Sequence, residues 1–129
     1  MSDPRQAKVA LDAGIDAIVI SIHGGRQLDG AVATIDILPE FVTEVGGRLP
    51  ILIDSGFRTG TDVVKALALG ATAVQVGRAA AYALATAGED GVAHALSILR
   101  SEIDTAMALM GVTKIADLGP SLIRRRPVG

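Results

Sequence analysis

The sequence has no cysteine and no tryptophan, and its aromatic residues are Phe41, Phe57 and Tyr82 alone. The missing thiol excludes a disulfide scaffold, a thiolate metal site and a cysteine nucleophile. So few rings exclude a base-stacking nucleic-acid platform, and a formal charge of -2 with an isoelectric point near 5.6 speaks against a phosphate-backbone binder. No apolar run reaches the roughly 18 residues of a membrane span. The opening Met1-Ser2-Asp3-Pro4-Arg5-Gln6 is no secretory signal. The expectation is a soluble, cytoplasmic chain with no nucleic-acid partner and no membrane span. What the sequence does have is aliphatic bulk: 50% of its 129 residues are apolar and the mean hydropathy is +0.46. That suffices for the core of one domain, with no linker or second domain.

Glycine punctuates the chain into units in which a β-branched run leads to a polar, Gly-rich loop and then to an Ala/Leu-rich amphipathic stretch, the rhythm of a parallel α/β sheet. Asp3 as cap, Pro4 as first residue and Gly14 as stop predict a helix over 4–13. Strands are predicted over 17–21, 50–54 and 73–76, and the first is apolar throughout, as for a strand covered on both faces. Helices are predicted over 34–45, over 62–69 with Thr61 and Asp62 at its start, over 79–87, and from about Gly91 to Met110. In the last, Val92, Leu96, Leu99, Ile103, Met107 and Met110 form one apolar stripe.

Polar residues gather after the strands' C-terminal ends: His23, Arg26 and Asp29, then Asp54 and Arg58, then Arg78. In parallel α/β folds ligands bind at that edge, where helix N-termini converge. Gly56, Arg58, Gly77 and Arg78 suit a phosphate: glycine allows close backbone approach, a helix dipole favours negative charge, and guanidinium grips phosphate through two hydrogen bonds. A histidine side chain can take up a proton, so His23 suits proton removal, and Arg26 suits a carboxylate anchor. Asp54 serves either the loop or the ligand, and Asp29 orients its loop. His94 reads as surface and the Arg124-Arg125-Arg126 run as a solvated tail.

Three stretches carry a resemblance: His23-Gly24-Gly25-Arg26-Gln27-Leu28-Asp29, the run from Asp54-Ser55-Gly56-Phe57-Arg58 to Gly70-Ala71, and Gly77-Arg78. Together they resemble the C-terminal part of the FMN-dependent α-hydroxy acid dehydrogenase and oxidase family, whose members oxidise lactate, glycolate or mandelate. The similarity runs from about Ser2 to Ile123. The second and third stretches also occur in glutamate synthases and type 2 isopentenyl diphosphate isomerases, and the His23 to Asp29 loop selects the hydroxy acid enzymes. The resemblance implies strands six to eight of a (β/α)8 TIM barrel. It implies that His23 is the catalytic base, that Arg26 holds the substrate carboxylate, and that Asp54, Gly56, Arg58, Gly77 and Arg78 bind FMN. The implied reaction converts an L-2-hydroxy acid to a 2-oxo acid, and no metal site is implied.

A full barrel needs about 250 residues, so strands one to five are expected to lie outside this sequence. With them would go the family's flavin-ring contacts and the aspartate that pairs with the catalytic histidine. Three strands alone leave open edges and an uncovered apolar face, which predicts self-association or a complementing half-barrel. Ile22 stands where the family pattern has asparagine and predicts a less fixed histidine loop. The rival readings are a non-catalytic FMN- or phosphate-binding half-barrel and another FMN-barrel enzyme.

Overall fold

The structure, a computed structural model, describes residues 3–124. Three short strands, β1 (Ile18–Ile20), β2 (Ile51–Ile53) and β3 (Ala73–Val74), form one parallel sheet in the order β1-β2-β3. Ile18, Val19 and Ile20 pair with Ile51, Leu52 and Ile53, and Leu52 and Ile53 pair with Ala73 and Val74. Side chains alternate between the two faces of a strand, and only one face is covered. Ile18, Ile20, Ile51 and Ile53 are buried beneath the helices, whereas Val19 is 39% exposed. The expectation of a strand covered on both faces is therefore corrected: periodicity reports apolar character, not which layer meets it.

Helices α1 (Arg5–Asp12) and α2 (Thr34–Val45) pack against each other, and α3 (Gly60–Ala68) packs on β3 and on α4 (Arg78–Leu109). Phe41, Leu38 and Val45 of α2 join Ala7 and Ala10 of α1 and the four strand isoleucines in one core. The start of α1 is as predicted: Asp3 Oδ1 accepts from the Arg5 N–H (3.0 Å) and Pro4 already has helical dihedrals. A break at Ala87 (φ -148°) and Gly88 (φ +59°) divides α4 into the two predicted helices. Along its second part Met107 is buried and Val92, Leu99, Ile103 and Met110 are half-buried, but Leu96 is 51% exposed. Leu96 thus leaves the stripe.

The start of α3 also differs from expectation. Thr59, not Thr61, is its cap, and with Asp62 it forms a capping box: Thr59 Oγ1 accepts from the Asp62 N–H while Asp62 Oδ2 accepts from the Thr59 N–H. Asp62 Oδ2 also accepts from the Arg58 N–H (3.2 Å). Burial opposes ionisation of Asp62, but these hydrogen bonds and the Lys65 charge outweigh it and lower its pKa. A lowered folded-state pKa adds stability above the unfolded value, and that stability is lost as pH falls through the folded value. Thr59→Ala should therefore cost about 1 kcal/mol at neutral pH. The deficit of Asp62→Asn should shrink below about pH 4. Urea melts at pH 7 and pH 3 check both; a pH-independent Asp62→Asn deficit contradicts the linkage.

Candidate functional site

The sheet delivers its loops to one level. The Asp54 N–H donates to Ile20 O (3.1 Å) and the Gln75 N–H to Ile53 O (2.8 Å), so pairing continues one residue beyond β2 and β3. An open pocket of about 830 Å³ lies over these ends, and His23, Arg26, Asp54, Gly56, Arg58, Gly77 and Arg78 all line it. Asp29 does not; its Oδ1 accepts from the Gly30 N–H (3.0 Å) within its own loop. His94 and Arg124 are exposed, away from the pocket, and Arg125 and Arg126 lie outside the described residues. Among the described residues no three His, Cys, Asp or Glu side chains converge as a metal site.

One side of the pocket is suited to an anion. The N-terminus of α4 opens there with no side-chain cap, and Gly77, Arg78, Ala79 and Ala81 of this turn line the cavity. Its first N–H groups have no partners within the helix. A Cβ on Gly56 or on Gly77 would meet nothing within 4 Å, and Gly56 has φ +97°, so both main chains stand open to a ligand. Arg58 is presented by the segment that Asp62 fixes. Arg78 donates from Nη2 to Gly24 O (3.1 Å), which uses one of its five donors. Asp54 is half-buried and accepts from the Ser55 hydroxyl (2.5 Å); as an acceptor it suits ligand hydroxyls rather than phosphate.

The other side is the His23 loop, a 3-10 turn over His23–Gly25. His23 is exposed at φ +50°, and among the described residues its imidazole has no hydrogen-bond partner. The loop itself is firmly held. Ser21 Oγ accepts from the His23 N–H (3.1 Å), and Ser55 Oγ accepts from the N–H groups of Ile22 (3.2 Å) and Gly24 (3.0 Å). These anchors are the main-chain N–H groups of Ile22, His23 and Gly24, none of which depends on the Ile22 side chain. Gly24 has φ +67°, and a Cβ there would lie 2.8 Å from Arg78 Nη2. Sequence reasoning missed Ser55, Thr34 and Tyr82. Thr34 is fully buried and donates to Asp54 O (2.6 Å). Tyr82 lines the pocket one turn after Arg78, a spacing visible in the sequence.

A protein-family model for FMN-dependent dehydrogenases matches residues 1–125. The chain belongs to the FMN-dependent dehydrogenase family. A 2-hydroxyacid oxidase of Dictyostelium discoideum is 50% identical over 120 residues, covering 93% of this chain and 31% of the relative. Among solved structures, (S)-mandelate dehydrogenase superposes with a TM-score of 0.94 at 43% identity, over 98% of this chain and 33% of that one. A mandelate oxidase variant carrying a monooxide FMN adduct superposes at 0.86 with 49% identity, over 90% and 37%. The chain thus spans about a third of the length of these relatives. That mandelate dehydrogenase is a monotopic membrane protein, so family membership sets no compartment. Among the described residues of this chain no helix is long and apolar enough to cross a membrane.

Proposed function

We propose that this chain forms strands six to eight of an FMN-dependent (β/α)8 barrel that oxidises an L-2-hydroxy acid to a 2-oxo acid. The observation that carries the reading is the convergence of His23, Arg26, Asp54, Gly56, Arg58, Gly77 and Arg78 on one pocket at the strand ends, the edge where such barrels react their substrates. The open edges of β1 and β3 are where further strands, from a longer protein or a complementing chain, would close the barrel, with the half-exposed face around Val19 turned inward. The pocket fits FMN on its own chemistry. Arg58, Arg78 and the uncapped N–H groups of α4 suit the phosphate, the open Gly56 and Gly77 main chains allow its approach, and Asp54 suits the ribityl hydroxyls.

Bound FMN supplies the two-electron acceptor. Arg26 holds the substrate carboxylate by paired hydrogen bonds, which sets the hydroxyl carbon in a fixed place. His23 takes a proton from the substrate as a hydride equivalent leaves that carbon, and a carbonyl replaces the alcohol. One observation favours a second reading, an FMN-binding unit without turnover: the His23 ring lacks an orienting partner among the described residues. FMN binding without 2-oxo acid formation would select it.

Arg78→Ala and Arg58→Ala should each weaken FMN binding about 10- to 100-fold, the scale of lost charge-assisted hydrogen bonds. Flavin fluorescence titration checks this. Unchanged affinity in both variants contradicts the phosphate assignment.

A further inference from the structure

We infer that Ser55 is a positioning residue for His23, tying the loop that carries the base to the loop that carries Asp54, Gly56 and Arg58. Its catalytic consequence rests on the function proposed above; the geometry stands independently of it. Ser55 Oγ donates to Asp54 Oδ1 (2.5 Å) and accepts from the Ile22 N–H (3.2 Å) and the Gly24 N–H (3.0 Å). A hydroxyl has one hydrogen and two lone pairs, so its whole bonding capacity is used, and the two N–H groups it accepts flank His23. An ionised carboxylate only accepts, so Asp54 takes the hydrogen and leaves both lone pairs facing the loop. The intervening His23 N–H goes to Ser21 Oγ (3.1 Å). Three consecutive amides of an irregular turn thus end on serine hydroxyls.

Ser55 is itself held in place. Thr34 Oγ1 donates to Asp54 O (2.6 Å) and Ser55 O (3.3 Å), fixing the peptide that presents the Ser55 hydroxyl at φ +75°. Arg78, through Gly24 O, braces the same loop from the start of α4. The hydroxyl acts on the base through the main chain on both sides of it. A base displaced by about 1 Å loses on the order of 100-fold in rate.

Ser55→Gly removes the hydroxyl while tolerating the positive φ. In the 129-residue chain, NMR hydrogen exchange at Ile22 and Gly24 should accelerate about tenfold or more, with Ile53 unchanged. Unaltered exchange at both amides overturns the assignment. If the variant does not fold, the wild-type chain decides: Ile22 and Gly24 should exchange about tenfold or more slowly than Leu28 of the same loop, and equal rates overturn it. In FMN-loaded protein that oxidises a 2-hydroxy acid, Ser55→Gly should lower kcat about tenfold or more with KM held within about twofold; an unchanged kcat leaves only a structural tie and overturns the positioning role. If wild-type protein oxidises no 2-hydroxy acid, the proposed function fails while the exchange result still decides the geometry.

Discussion

His23→Ala should lower 2-oxo acid formation by about a hundred- to ten-thousandfold, the usual contribution of a positioned general base, equivalent to about 3–5 kcal/mol of barrier. His23 is the pocket's one histidine. The other proton acceptor there, Asp54, already accepts from Ser55 and sits on the opposite loop. FMN affinity should stay within about twofold, because the proposed phosphate contacts come from the loop after β2 and the start of α4 rather than from the His23 loop. Stopped-flow reduction of the bound flavin by lactate, glycolate and mandelate separates these effects. Rapid reduction in the variant would remove His23 from the mechanism. Weakened FMN binding with an unchanged reduction rate would make it a cofactor contact.

Gly60→Ala should be strongly disruptive. Gly60 is buried, and its N–H donates to Glu102 Oε2 (2.6 Å) across the α3–α4 contact. An added Cβ would run into Ile103 N and lie 2.5 Å from Glu102 Cβ and 2.6 Å from Glu102 C. Two of those atoms are backbone, so no rotamer change relieves the clash and one helix must move. The expected cost is about 1–3 kcal/mol, the range for overpacking a close contact, read as a lower urea midpoint at unchanged slope. Gly119→Ala is the control: Gly119 has φ -152° and nothing within 4 Å of its added Cβ, so its midpoint should hardly move. Because α3 starts directly after Arg58 and Thr59, Gly60→Ala should also weaken FMN binding. A stable Gly60→Ala chain with normal FMN affinity would mean that α3 and α4 are not fixed against each other as described.

Much of this was legible in the sequence because local chemistry dictates it. The runs Ile18-Val19-Ile20 and Ile51-Leu52-Ile53 have nowhere to go but a sheet, and the polar loops after them had to share its C-terminal edge. Gly14 and Gly46, both at positive φ, ended α1 and α2 where expected. The start of α3 was legible but misread: Thr59 and Asp62 have capping-box spacing, and Thr61 merely lies closer to Asp62. Ser55 was not legible, because its partners lie 33 and 31 residues away and appear only when β1 and β2 pair in register. The exposure of Val19 was legible from the strand count, since three strands leave an apolar face uncovered, but not from the strand itself, which looks the same whether one layer covers it or two.

The most direct test of the central claim is a paired titration of the 129-residue chain with FMN and with riboflavin, which lacks the phosphate, followed by flavin fluorescence. The pocket at the strand ends predicts that FMN binds about 100-fold tighter than riboflavin or more, as expected when Arg58, Arg78 and the start of α4 grip a dianion. Equal affinities, or no binding of either flavin, would contradict the assignment of that pocket as an FMN phosphate site.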